Sequence, residues 1–164
     1  MIYMESAAIE FFATFLIWIL YAGLVVLWFI DGKIRKEQVI HALFAGLMAW
    51  VIAFLIKGFF PTLRPFLVNG EEALVLITPT GSAFPSAHTA LAFSLAITIF
   101  MHDRKIGWWY IACALLIGIA RVLANVHYPV DIIGGALIGT LIAVVVEKTH
   151  MFKLLVKKEN RRKK

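Results

Sequence analysis

Five near-continuous apolar runs, at about Ala7–Ile30, Val39–Lys57, Phe84–Met101, Ile106–Asn125 and Pro129–Glu147, leave this chain few folds to choose from. A helix needs ~20 mostly apolar residues to cross a bilayer, and each run meets or approaches that length. The runs are continuous rather than alternating, unlike the short alternating strands of a membrane barrel. The chain is 62% apolar and 16% charged, against roughly 45–50% and 25% in globular domains. It therefore reads as all-α: a polytopic membrane helical bundle of about five transmembrane helices over residues 1–150, followed by a basic cytoplasmic tail over 151–164.

Charge predicts the orientation. Lys33, Arg35 and Lys36 lie in one connection, Arg104 and Lys105 in another, and eight further basic residues follow from Lys148 to Lys164. With five spans these regions share one side, which the positive-inside rule makes cytoplasmic. The N-terminus, carrying Glu5 and Glu10 with no Lys or Arg before Lys33, is then outside. It lacks the basic leader and small-residue cleavage pattern of a signal peptide, so the first span is expected to remain in place. The expected location is the cell membrane. The net charge of +6 needs no nucleic acid, because a polybasic segment directly after a span meets anionic lipid headgroups. One cysteine, Cys113, allows no disulfide within the chain.

Of the sixteen Lys and Arg residues, only Lys57, Arg64 and Arg121 fall on the opposite, outer side. Cations at span ends commonly snorkel to headgroups, but these three share their end of the bundle with His88, His127 and Asp131. Lys57 and Arg64-Pro65 flank Gly58-Phe59-Phe60-Pro61, a helix-breaking stretch that lets two cations grip one anion. Phe84-Pro85-Ser86-Ala87-His88 precedes an apolar run. With Pro in the first helical turn, the amides of Ser86, Ala87 and His88 would form an anion site at a helix start. Pro129 likewise suits a first turn, placing His127 just before a helix and Asp131 inside it. There the carboxylate can reach back, fix the imidazole tautomer and leave the other nitrogen free to attack. Such pairs also ligate metals, but this face supplies too few further ligands. Glu71 and Glu72 read as a solvated loop, and His41, His102 and His150 as ordinary polar residues at the cytoplasmic end. Gly135 and Gly139 suit packing within the bundle or dimerisation, so the oligomeric state stays open.

These motifs resemble the type 2 phosphatidic acid phosphatase superfamily, the lipid phosphate phosphatases. The three-part signature is matched by Lys57 to Arg64-Pro65, by Pro85-Ser86-Ala87-His88 and by Ala120-Arg121 to His127 to Asp131, over roughly residues 50–145. Ala87 stands where the family usually has Gly, and Ala120 where it has Ser. The resemblance implies His127 as nucleophile oriented by Asp131, His88 as general acid, and Lys57, Arg64, Arg121, Ser86 and Ala87 as phosphate ligands. It implies a phosphohistidine intermediate and no metal or other cofactor. The stretches Arg104–Trp108 and Val126–Gly134 are similar to bacterial undecaprenyl-diphosphate phosphatases, so the expected substrate is undecaprenyl diphosphate, a membrane lipid. Phosphatidic acid or phosphatidylglycerol phosphate is the alternative, and a lipid transporter or flippase that binds without cleaving is a different class. The segment Phe66–Ala83, long for a compact bundle, is expected to form part of the entrance, with Ala73–Ile77 either dipping into headgroups or packing as a loop.

Overall fold

A backbone in lipid must satisfy its own hydrogen bonds, and the described residues do so with helices and connecting turns alone. The computed structural model describes residues 2–30 and 33–162, with side chains over 6–30 and 36–149. The side chains of Lys33, Arg35, His150 and the basic tail lie outside the described residues. In chain order the helices are α1 (Ile2–Thr14), α2 (Leu16–Phe29), α3 (Lys33–Lys57), α4 (Pro65–Asn69), α5 (Ala87–His102), α6 (Arg104–Leu123) and α7 (Pro129–Arg162). Lys36–Lys57, Arg104–Leu123 and Pro129–Thr149 are each long and apolar enough to cross a membrane.

The remaining two runs depart from simple spans. Ala7–Ile30, expected as one crossing, is broken: α1 and α2 meet at a 46° bend around Phe15. Neither Pro nor Gly stands there. A cation does: Arg121 Nη1 of α6 donates to Ala13 O at 3.4 Å, in the last turn of α1, where carbonyls need outside partners. The other departure is α5, with 16 residues or about 24 Å of rise, less than the ~30 Å hydrocarbon core. It packs against α3, α6 and α7, and Ala90, Ala92, Leu95, Ala96 and Ile99 along it are buried. Its flanks therefore meet protein rather than lipid.

Close approach to α5 depends on small residues. A methyl group on Gly139 would lie 2.2 Å from Ala90 O, and one on Gly135 2.5 Å from Ser86 O. These glycines thus serve packing inside the bundle, by the van der Waals contact that holds membrane helices together. The outward faces carry Trp18, Phe44, Leu47, Phe54 and Leu137, all exposed, as lipid contact requires. Lys36 Nζ sits 5.7 Å over the Trp28 ring, at the end where α6 also exposes Trp108 and Trp109. This is the interfacial pattern of aromatic and basic side chains.

Candidate active site

The end of the bundle formed by the C-termini of α3 and α6 and the N-termini of α5 and α7 gathers Lys57, Arg64, Ser86, His88, Arg121, His127 and Asp131. Lys57 is the last residue of α3. Its Nζ donates to Ser82 O at 2.8 Å and Ala83 O at 3.0 Å. Arg64 caps α4 ahead of Pro65 and spreads its fork over four carbonyls. Nε donates to Gly81 O at 3.0 Å, Nη2 to Ser82 O at 3.1 Å and Thr80 O at 3.5 Å, and Nη1 to Val126 O at 3.0 Å. The segment expected as an entrance therefore folds back as a carbonyl cradle for two cations. Ser82 anchors the cradle, its hydroxyl donating to Phe60 O and pairing with Thr62 Oγ1 at 3.0 Å. Earlier in the segment Ala73–Val75 packs on Ala13, Ala120, Ala124 and Val126, while Leu76 and Ile77 are exposed. Glu71 and Glu72 are exposed as well.

At the start of α5 the structure corrects one expectation. The helix begins at Ala87 with Ser86 as its cap, so Pro85 lies before the helix rather than in its first turn. The Ser86 amide is already taken, donating to Asp131 O at 3.0 Å. Its hydroxyl caps α5, accepting from Thr89 N–H at 3.4 Å and Thr89 Oγ1–H at 3.0 Å. Two amides at that terminus, those of Ala87 and His88, remain for an anion. Ser86 ties α5 to α7 instead of offering its own amide.

Between α6 and α7 the chain reverses through Asn125, whose φ of 60° is left-handed, a conformation Asn tolerates better than most residues. Its side chain pairs with that of Asn69 at 2.9 and 3.1 Å and donates to Glu71 O at 3.3 Å. The clamp lies two residues before the buried His127. Sequence reading missed Asn69, Asn125, Thr62 and Ser82, for which the signal was only an Asn two residues before a histidine and ordinary loop hydroxyls. His127 Nδ1 donates to Asp131 Oδ2 at 3.2 Å, and the same oxygen accepts from Tyr128 N–H at 2.8 Å. The Nε2 atom is left with its lone pair, 3.4 Å from Arg64 Nη1.

Charge is badly out of balance here. Arg64, Arg121, His127 and Asp131 are 1–4% exposed and Lys57 is half-buried, so three cations face a single carboxylate. Buried charges without partners are costly, and Arg121 Nε is buried with no hydrogen bond. Burial, with the charges of Arg121, Arg64 and Lys57 adding to it, pushes the His127 pKa down to about 4 against the pull of its Asp131 hydrogen bond. Burial also lowers that of Arg64, which remains a cation near neutrality. His88 stands half-buried within range of the charges on Arg121, Lys57 and Arg64. The arrangement can bind a dianion between the cations and present a neutral imidazole nitrogen to it.

The profile described as "PAP2 superfamily" matches residues 38–154. The chain is 32% identical over 143 residues to a Bacillus licheniformis protein named bacitracin transport permease protein BcrC, covering 87% of this chain and 70% of that one. It is 31% identical over 119 residues to undecaprenyl-diphosphatase BcrC of Bacillus subtilis, covering 73% and 61%. Among solved structures, that of Aquifex aeolicus LpxE superposes with a TM-score of 0.75 at 29% identity, covering 88% of this chain and 86% of that chain.

Proposed function

The chain belongs to the PAP2 superfamily, and we propose that it is a lipid phosphatase hydrolysing undecaprenyl diphosphate to undecaprenyl phosphate. The observation that carries the reading is the buried excess of two positive charges around a neutral, oriented imidazole, which suits a phosphate dianion. His127 Nε2 attacks the terminal phosphorus in line. The bond from that phosphorus to the bridging oxygen breaks, undecaprenyl phosphate leaves, and a phosphohistidine remains. Lys57, Arg64, Arg121 and the amides of Ala87 and His88 hold the equatorial oxygens, where oriented charge contributes several kcal/mol. His88 gives a proton to the leaving oxygen and later takes one from the water that attacks the phosphohistidine, releasing inorganic phosphate. Asp131 stabilises the imidazolium character that develops on His127.

The naming of the Bacillus subtilis relative supports the diphosphate. Leaving-group chemistry tests it. A diphosphate expels a phosphate with a second pKa near ~6, whereas a monoester such as phosphatidic acid expels a far more basic alkoxide. In a panel of a polyprenyl diphosphate, phosphatidic acid and phosphatidylglycerol phosphate, kcat/KM is expected to favour the diphosphate. His88→Ala should harm monoester turnover more than diphosphate turnover, by ~10²-fold. A wild-type preference for either phospholipid would move the assignment there, and equal losses would make His88 a phosphate holder. Transport is a second reading, favoured by the name of the Bacillus licheniformis relative. Failure of purified protein to release phosphate from any of the three lipids would favour it.

The proposed setting is the cell membrane with the site and N-terminus outside and the C-terminus cytoplasmic. The thirteen basic residues assigned to the other side support it. A membrane-impermeant maleimide should label a cysteine at Gly70 in intact cells and one at Lys158 only after lysis. Labelling of both in intact cells would overturn the assignment.

A further inference from the structure

We propose that the end of the bundle remote from His127 is a divalent transition-metal site of the Zn²⁺ class, formed by His41 of α3, His102 of α5 and Glu147 of α7. The phosphatase reading plays no part in it. Nothing in the spacing of His41 and His102 foretells their meeting, yet they converge on one carboxylate. His41 Nδ1 lies 3.3 Å and His102 Nε2 3.6 Å from Glu147 Oε2, and one ligand atom from each of the three residues falls within 4.8 Å of the others. Metal–nitrogen and metal–oxygen bonds of about 2.0–2.2 Å in a tetrahedron separate neighbouring ligand atoms by about 3.3–3.5 Å. Two of the three edges are therefore close to the right length.

The electron pair of His102 faces the right way. His102 Nδ1 donates to Thr98 O at 2.9 Å. A carbonyl can only accept, so the neutral ring has its lone pair on Nε2, towards Glu147. Histidine ligands are oriented in this manner, by giving the other N–H to a backbone carbonyl. Glu147 Oε2 is buried and receives no hydrogen bond, leaving two electron-rich atoms 3.6 Å apart that a shared cation would reconcile. Two imidazoles and one carboxylate suit Zn²⁺ and similar first-row ions rather than Mg²⁺ or Ca²⁺. A groove of 360 Å³ lined by His41, Phe44, Met48, Ile142, Val145 and Thr149 borders the cluster on its His41 side. Water would take the fourth position, as in other three-ligand sites.

His88 and His102 are fourteen residues apart on α5, about 21 Å along its axis, so this metal touches no reacting atom. It would clamp α3 and α7 onto the short central α5. The test uses the full chain in detergent, stripped with a chelator and titrated with Zn²⁺ against a chromophoric competitor. One Zn²⁺ per chain is expected. His102→Ala and Glu147→Gln should each weaken binding by more than ~10²-fold, whereas His127→Ala should bind like wild type. Zn²⁺ should raise the Tm of wild type and not of His102→Ala. Co²⁺ on wild type should give the intense visible bands of a tetrahedral nitrogen and oxygen site, a readout independent of how the variants fold. Absence of stoichiometric Zn²⁺ binding, an octahedral Co²⁺ spectrum, or unchanged affinity in folded variants would each overturn the proposal. The cluster would then be imidazoles sharing a proton with a carboxylate.

Discussion

Replacing His127 with alanine is expected to reduce phosphate release by on the order of 10⁴-fold or more, because the proposed attacking atom itself is lost. Asp131→Asn should leave more activity than His127→Ala. It keeps the side-chain shape and removes only the anion that accepts the Nδ1 proton at 3.2 Å and the Tyr128 amide. The two variants together separate attack from orientation. The pH profile adds a third check on the same residue. With its pKa pushed down to about 4, free His127 is neutral throughout the mildly acidic range and gains its proton only as pH falls towards that value. An ordinary histidine would already be half protonated near ~6.5. The acid limb of kcat/KM attributable to the free enzyme should therefore fall well below pH 6. Near-normal turnover by His127→Ala would eliminate the phosphohistidine mechanism, and an acid limb at the ordinary histidine value would contradict the buried neutral imidazole.

Arg64→Lys, conservative in charge, is expected to behave as a severe lesion. The guanidinium reaches Gly81, Ser82 and Val126 carbonyls within 3.1 Å and lies 3.4 Å from His127 Nε2. A lysine presents one compact ammonium and cannot span that fork. Loss of an oriented donor should lower kcat/KM by about 10²–10³-fold. Unpaired carbonyls beside a 3% exposed residue should lower stability by about 3 kcal/mol, visible as a lower Tm in detergent. In the proposed mechanism the Nη1 atom beside His127 turns to a phosphate oxygen and frees Nε2 for attack. Saturating vanadate should accordingly raise the Tm of wild type more than that of Arg64→Lys. Wild-type kcat/KM with an unchanged Tm would show that Arg64 neither holds the cradle nor meets the substrate.

The apolar runs determined the class by themselves, since stretches of this length and continuity have no soluble use and can satisfy their backbones in lipid only as helices. The turn signals and spacings then placed Lys57, Arg64, His88, Arg121, His127 and Asp131 at one end, because successive spans of an antiparallel bundle bring those span ends to the same side. What lay beyond local pattern belongs to contacts between distant residues. The break at Phe15 coincides with a guanidinium 108 residues away from its Ala13 partner, and apolar periodicity carries no trace of it. Ser86 lost its amide to Asp131 O, a bond that exists only once α5 and α7 lie side by side. The role of residues 80–83 as a carbonyl cradle was equally illegible, since every residue brings the same carbonyl and only the packed chain decides which of them a buried cation finds. The approach of His41 and His102 to Glu147 follows the same rule. Sequence places polar residues at an end of a bundle, but which side chains meet there depends on helix rotation, which is set by small residues such as Gly135 and Gly139 against α5.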